Sequence, residues 1–224
     1  MYVPEAFRLD DREAVAAVMR AFDFALLVTA PDGVPQASHL PFLYEPPRNL
    51  PGEGPEGTLY AHMARANPQW RDFAVMEENG GEALVVFQGP HSYVSPTWYA
   101  SEQPNVPTWN YVAVHAYGLP QVIEEAAQVR ALLDRMVATQ EAGLTRPWST
   151  AGLTDRYMEG MLRGLVAFRI PVARLEAKAK LSQNKTTAQL GAATAVLERA
   201  EAPLARETGA WMRRALEAKN RETA

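Results

Sequence analysis

The stretch VPTWNYVAVHAYG at residues 106–118 contains no charged residue. On a strand, successive side chains point to opposite faces. One face would then carry Val106, Thr108, Asn110, Val112 and Val114, and the other Trp109, Tyr111, Ala113, His115 and Tyr117. A strand with one solvated face alternates apolar and charged positions. This one does not, so neither face is built for water, and any fold containing it must say what covers each.

The neighbouring segments supply the rest of a sheet. FDFALLVT (22–29) reads as a strand, PDG (31–33) as a turn, and VPQASHLPFLYE (34–45) as the hairpin partner. PPRNLPGEGPEG (46–57) is loop chemistry, and TLYAHM (58–63) and ALVVFQGPHSYVS (83–95) are further strands. GLVAFRIPVARLEAKAKLSQ (164–183) reads as one or two final strands. The spacing predicts helices over 10–20 and 122–143, and two more after Thr186 that break at Pro203. The loop PTWYASEQPNVPTW between the strands at 83–95 and 110–118 is too rich in proline and tryptophan to be mere spacer. Antiparallel strands joined by hairpins and interrupted by helices point to a mainly β, barrel-like α+β domain.

With 47% hydrophobic residues the chain can bury a sizeable core, and with no cysteine it has neither disulfides nor thiol chemistry. The N-terminus has no signal-peptide pattern and no stretch is long and apolar enough to span a bilayer, so a soluble cytoplasmic protein without membrane contact is expected. Charge is uneven. Residues 1–171 hold 12 Lys/Arg against 20 Asp/Glu, whereas residues 172–224 hold 10 against 6, including all four lysines. A solvated helical tail accounts for most of this basic excess, which is too small by itself to argue for nucleic-acid binding.

His39, His62, His91 and His115 show no metal-ligand spacing, so no metal site is expected. Phosphate loops of the GxxxxGK[ST] kind, dinucleotide GxGxxG motifs and GxSxG elbows are absent. HMARANPQWRDF (62–73) is more informative: Asn67 suits an N-cap, Pro68 suits the first helical position, and Arg65 lies just ahead. Strand, arginine and helix start make a phosphate pocket, or equally a capped helix beside a solvated arginine. KLSQN (180–184) offers a cation, a hydroxyl and carboxamides, and taken alone reads as a polar strand end with Asn184 capping the next helix.

Together, ASHLPF, HMARANPQW, FQGPHSYVSPTWY, VPTWNYVAVHAYG and KLSQN resemble, in order, the PaiB family of FMN-binding negative transcriptional regulators. The resemblance runs from MYVPEAF to about Asn184 and fades beyond Lys185. It implies an FMN-binding split β-barrel over 1–184, similar to pyridoxamine-phosphate oxidases, with a C-terminal helical extension (185–224) packed on the same domain. It also implies a homodimer with FMN at the subunit interface, and DNA as a partner if the chain is a repressor. Carried over by motif, Arg65 and Asn67 would serve the phosphate, while Ser38, His39 and Leu40 would run along the isoalloxazine. His62 and Ala64 would flank that pocket, Trp98, Trp109 and Asn110 would wall the ring or interface, and Lys180, Ser182 and Gln183 would lie near the phosphate or ribityl chain. One face of 106–118 would fill the barrel and the other would meet the partner subunit or the flavin. No catalytic residue is assigned. The alternative is a flavin-dependent oxidoreductase of the same superfamily with unknown substrate, and a blander one is a barrel that holds another planar ligand such as haem.

Overall fold

The computed structural model of the chain describes residues 1–100, 102 and 104–222. Ser101 and Gln103 of the proline- and tryptophan-rich connection fall outside them. The chain divides into two compact units: Met1–Phe22 with Phe87–His115 and Glu176–Ala224, and Asp23–Val86 with Ala116–Leu175. Each is built from several stretches of chain.

In the second unit β1 (Phe24–Thr29) and β2 (Gln36–Pro41) form the expected antiparallel hairpin, with Thr29 opposite Gln36 and Phe24 opposite Pro41. The expected partner segment 34–45 is not one strand, however. Pro41 has no N–H to continue a ladder, and beyond Phe42 the chain starts β3 (Leu43–Glu45) in a different sheet. That sheet has the order β3–β4–β8–β7, with β4 at Thr58–Ala64, β7 at Gln121–Ile123 and β8 at Leu165–Pro171. All its pairings are antiparallel. Leu59, Ala61 and Met63 of β4 are buried, as are Val166, Phe168 and Ile170 of β8. Tyr60 on the opposite face packs, with Leu43 and Ile123, against Val129, Leu132 and Met136 of α3 (Ala126–Glu141).

The helix expected over 122–143 is therefore shorter. Val122 and Ile123 belong to β7, where β-branched Ile123 suits a strand better than a first helical turn. Two short helices complete this unit. A four-residue 3-10 turn, Pro68–Arg71, leads into α2 (Asp72–Asn79), and α4 (Asp155–Arg163) is capped by Thr154, whose hydroxyl accepts from the Tyr157 N–H at 3.3 Å. Sequence reading did not anticipate α4, which buries only Met158.

The first unit holds α1 (Arg12–Ala21), where Asp11 accepts from the Glu13 N–H at 2.9 Å and Val15, Ala16, Val18 and Met19 make the buried stripe. β5 (Ala83–Val94) neighbours β1 in the second unit, where Val86 lies opposite Leu26. In the first unit β5 neighbours β6 (Thr108–Gly118), which in turn neighbours β9 (Arg174–Lys180). β6 begins after Pro107, so Val106 precedes the strand and is exposed. From there the two faces differ. Asn110, Val112 and Val114 are wholly buried, whereas Tyr111 and His115 are half-buried and Trp109 is 55% exposed.

β9 alternates in the opposite sense: Ala177 and Ala179 are buried in the core, while Arg174, Glu176, Lys178 and Lys180 share the other face. Its cations lie on the aromatic rings of β6. The Lys178 ammonium is 5.2 Å from the Tyr111 ring centre, and the Arg174 guanidinium is 3.4 Å from that of Tyr117. The uncharged strand is thus covered on one face by apolar packing and on the other by a charged neighbour whose cations favour aromatic faces.

The C-terminal helices are α5 (Thr187–Glu198) and α6 (Pro203–Glu222), with the break at Pro203 as expected. Thr186, not Asn184, caps α5, in a reciprocal capping box with Gln189. Gly209 explains itself here: a Cβ at this position would stand 2.7 Å from the Glu198 backbone nitrogen. The Arg213 guanidinium then clasps Glu198 at 3.0 and 2.6 Å and holds its carboxyl below the usual range. Gly209→Ala should lower stability by about 1–3 kcal/mol through that clash, whereas Gly143→Ala, where a Cβ meets nothing within 4 Å, should be close to neutral. Thermal unfolding of the two variants checks this.

Candidate functional site

In the second unit Arg65 follows β4, and a 3-10 turn, Pro68–Arg71, stands where a helix start was expected, with α2 beginning at Asp72. Asn67 caps the Pro68 turn, its carboxamide oxygen accepting from the Gln69 N–H at 3.0 Å. Its Nδ2 donates to the Ser38 hydroxyl at 2.9 Å, so two motifs distant in sequence meet. Arg65 is exposed at the mouth of a cleft of about 680 Å3 that also involves Trp70, Glu124, Glu159 and Arg163. Its guanidinium donates through Nε to the Arg163 carbonyl at 3.0 Å and through Nη2 to the Leu165 carbonyl at 2.8 Å. Arg65 therefore closes the C-terminal end of α4 at the Arg163 carbonyl, which the helix end leaves open, and ties it to the first residue of β8. Of its five N–H donors two are spent this way.

His39 is exposed and stacks on the exposed Phe24 ring at 6.0 Å, while Leu40 is buried and Ala64 exposed. The imidazole of His62 lies elsewhere. It joins Phe42, Leu43 and Met136 in a smaller apolar cleft rather than lining the one at Arg65. Both clefts lie on the α3 side of the sheet, the one at Arg65 beside the start of the helix and that of His62 beside its end. Burial holds its pKa below the ordinary 6.5.

In the first unit His91, Tyr93, Trp98 and Trp109 form an aromatic cluster with ring centres 6.2–6.4 Å apart. Tyr93 is 41% exposed, so two of these rings, with Trp109, stand open to solvent. Beside them the Lys180 ammonium donates to the Trp109 carbonyl at 2.8 Å and to the Thr108 hydroxyl. Desolvation first, and then the charge of Lys178, lowers its pKa. Asn110 and Ser182 are buried in a network with Tyr99: Asn110 Nδ2 donates to the Ser182 hydroxyl at 2.9 Å, and Tyr99 shares a 2.9 Å bond with the same oxygen. Ser182 sits at φ +66, which an L-residue adopts only when its surroundings hold it. Gln183 folds back on β9, accepting from Leu181 N–H at 2.7 Å and donating to the Ala179 carbonyl at 2.5 Å. The polar groups of Asn110, Ser182 and Gln183 thus build the turn after β9.

Sequence reasoning passed over Gln69. Its buried amide donates to the Leu27 and Gln36 carbonyls at 3.3 and 3.2 Å and to the Thr29 hydroxyl at 3.1 Å, tying the β1–β2 hairpin to the Pro68 turn. A glutamine at the second helical position after Asn67-Pro68 carries no local signal of that role. Among the described residues no group of acidic or histidine side chains could hold a metal ion, and no helix is long and apolar enough to cross a membrane.

The fold is shared with solved structures. The flavocytochrome Anf3 from Azotobacter vinelandii superimposes with a TM-score of 0.56 at 16% identity, over 80% of this chain and 72% of that one. A FAD and heme binding protein from Mycobacterium smegmatis gives 0.52 at 18%, over 77% and 73%. The fold is the antiparallel α+β split barrel that the motifs implied. Residues 1–174 match the family model described as "Putative FMN-binding domain", and the chain belongs to that family. It is 34% identical over 212 residues to the protease synthase and sporulation protein PAI 2 of Bacillus subtilis, spanning 95% of this chain and 96% of that protein. That likeness extends well past Lys185, where the motifs fade, so it takes in the C-terminal helices.

Burial also depresses the His115 pKa, with the N-terminal charge adding to it and Glu176 opposing. As pH falls below about 6.5, the unfolded chain takes up protons that His62 and His115 resist in the folded state, so stability declines through that window. In urea titrations between pH 5 and 8, His62→Phe should flatten this decline.

Proposed function

We propose that the chain binds FMN as a homodimer with the flavin at the subunit interface, and acts in the cytoplasm as a PaiB-type transcriptional regulator. The observation that carries this reading is the open aromatic cluster of His91, Tyr93, Trp98 and Trp109 beside a partly desolvated lysine. Contiguous aromatic surface of this kind on a single subunit calls for a covering partner or a planar ligand. The groups present suit a flavin nucleotide. Tryptophan and tyrosine faces match a flat ring system, and the unspent donors of Arg65 match a phosphate. Ser38, held by Asn67, adds a hydroxyl on the strand assigned to the ring. FMN, when bound, supplies a group that accepts hydride or single electrons. The chain's own residues bind and orient it: Arg65 and Asn67 at the phosphate, Ser38, His39 and Leu40 along the ring, Trp98 and Trp109 at the wall, and Lys180 near the polar chain.

The regulatory part of the reading rests on the likeness to PAI 2 over nearly the whole chain and on the basic C-terminal segment. Binding to DNA by such a segment should fall steeply with salt, and a gel-shift titration over salt measures it. Binding no tighter than that of an unrelated acidic protein would remove that part.

For the cofactor, an absorbance spectrum of the purified protein should show oxidised-flavin bands that heat releases into the supernatant. Light scattering should give twice the mass of the 24.7 kDa chain. A colourless monomer that does not take up added FMN would overturn the proposal. Arg65→Ala should raise the FMN Kd by roughly 10- to 150-fold, the effect of one charge-assisted bond of about 1.5–3 kcal/mol. Because Arg65 also closes α4, the variant's melting temperature without FMN should be measured alongside. A fall in stability with unchanged FMN affinity would assign Arg65 to the fold alone.

A further inference from the structure

The C-terminal end of α3 leaves a second cleft, of about 230 Å3, on the face of β4 opposite the buried Leu59, Ala61 and Met63. Phe42, Leu43, Met136, Val137 and Trp148 make it mainly apolar. Its polar side chains are almost all spent on one another. The Gln140 amide donates to the Asp23 carboxylate, and Glu141 accepts the Trp148 backbone N–H at 2.7 Å, which fixes the half-exposed Trp148 in place. The exception is His62, whose Nδ1 is buried with no hydrogen-bond partner among the described residues. An N–H left there would be unpaired, so the proton belongs on the other ring nitrogen, and burial keeps the ring neutral.

An apolar cavity of about 150 Å3 stays dry and takes up benzene. This one is larger, has a single imidazole among apolar side chains, and carries Asp23 and Glu141, whose charges repel anions. We propose that the cleft is a binding site for a small uncharged aromatic molecule of about ten non-hydrogen atoms, bearing one hydroxyl that hydrogen-bonds to His62. The site is separate from the surface assigned to flavin, and the inference does not rest on that assignment.

Saturation-transfer NMR on the full chain, with p-cresol, toluene and benzoate as probes, tests it. Transfer to p-cresol and toluene is expected, and none to benzoate. Val137→Trp, which fills the cleft from a half-buried position, should abolish both signals. Trp148→Ala, at an exposed position away from the core, should weaken both and serves if the first variant folds poorly. His62→Phe should weaken p-cresol roughly 5- to 10-fold while leaving toluene unchanged. No transfer to p-cresol in the folded protein, or p-cresol binding that survives both cleft variants, would overturn the site. Equal effects of His62→Phe on p-cresol and toluene would overturn the role of the imidazole. FMN content of the same samples, read by absorbance, keeps this result distinct from the flavin reading.

Discussion

Much of the first unit depends on how a strand without charge is accommodated. β6 buries Asn110, Val112 and Val114 on one face, and on the other lays Tyr111 beneath the ammonium of Lys178. In the second unit the end of the same strand does likewise, with Tyr117 beneath Arg174. β9 therefore works as an amphipathic strand of an unusual kind: its inner face is two small alanines, and its outer face carries cations that find aromatic rings instead of water. Lys178 is buried even though it is a lysine, its ammonium held by the Tyr2 carbonyl at 3.1 Å as well as by the ring. A buried cation needs such partners, since an unpaired one would shed its proton or unfold its surroundings.

The strands were legible because alternation is a local signal, and all six sequence segments read as strand or hairpin contain strands. The departures are not local in cause. Residues 34–45 look continuous, yet Pro41 ends one ladder and Phe42 turns the chain into another sheet. Val122 and Ile123 were absorbed into a helical period although their pairing with Phe168 and Ala167 makes them strand. Each of these outcomes is set by a partner far away in the chain, which no window of sequence contains.

The candidate site was legible to a different degree. Asn67 and Ser38 were named from separate motifs and are joined by a hydrogen bond, which agrees with a shared purpose. Asn110 and Ser182 were also named from separate motifs and are also joined, but in a buried network completed by Tyr99. Motif membership marks both pairs alike. Burial separates them: Ser38 and Asn67 are half-buried, whereas Asn110 and Ser182 are enclosed and hold a turn at positive φ. His62 shows the same limit, since the end of α3 that covers it decides which cleft it enters.

The two carbonyl contacts of Arg65 have a consequence for affinity. A free arginine loses about 2 kcal/mol of rotamer entropy when its side chain is immobilised. Here the guanidinium plane is already locked by residues 163 and 165 before any anion arrives, so that loss is charged to folding and not to association. In the proposed role at a phosphate, such a preorganised fork would favour an anion whose oxygens meet its fixed orientation over one that needs it to swing.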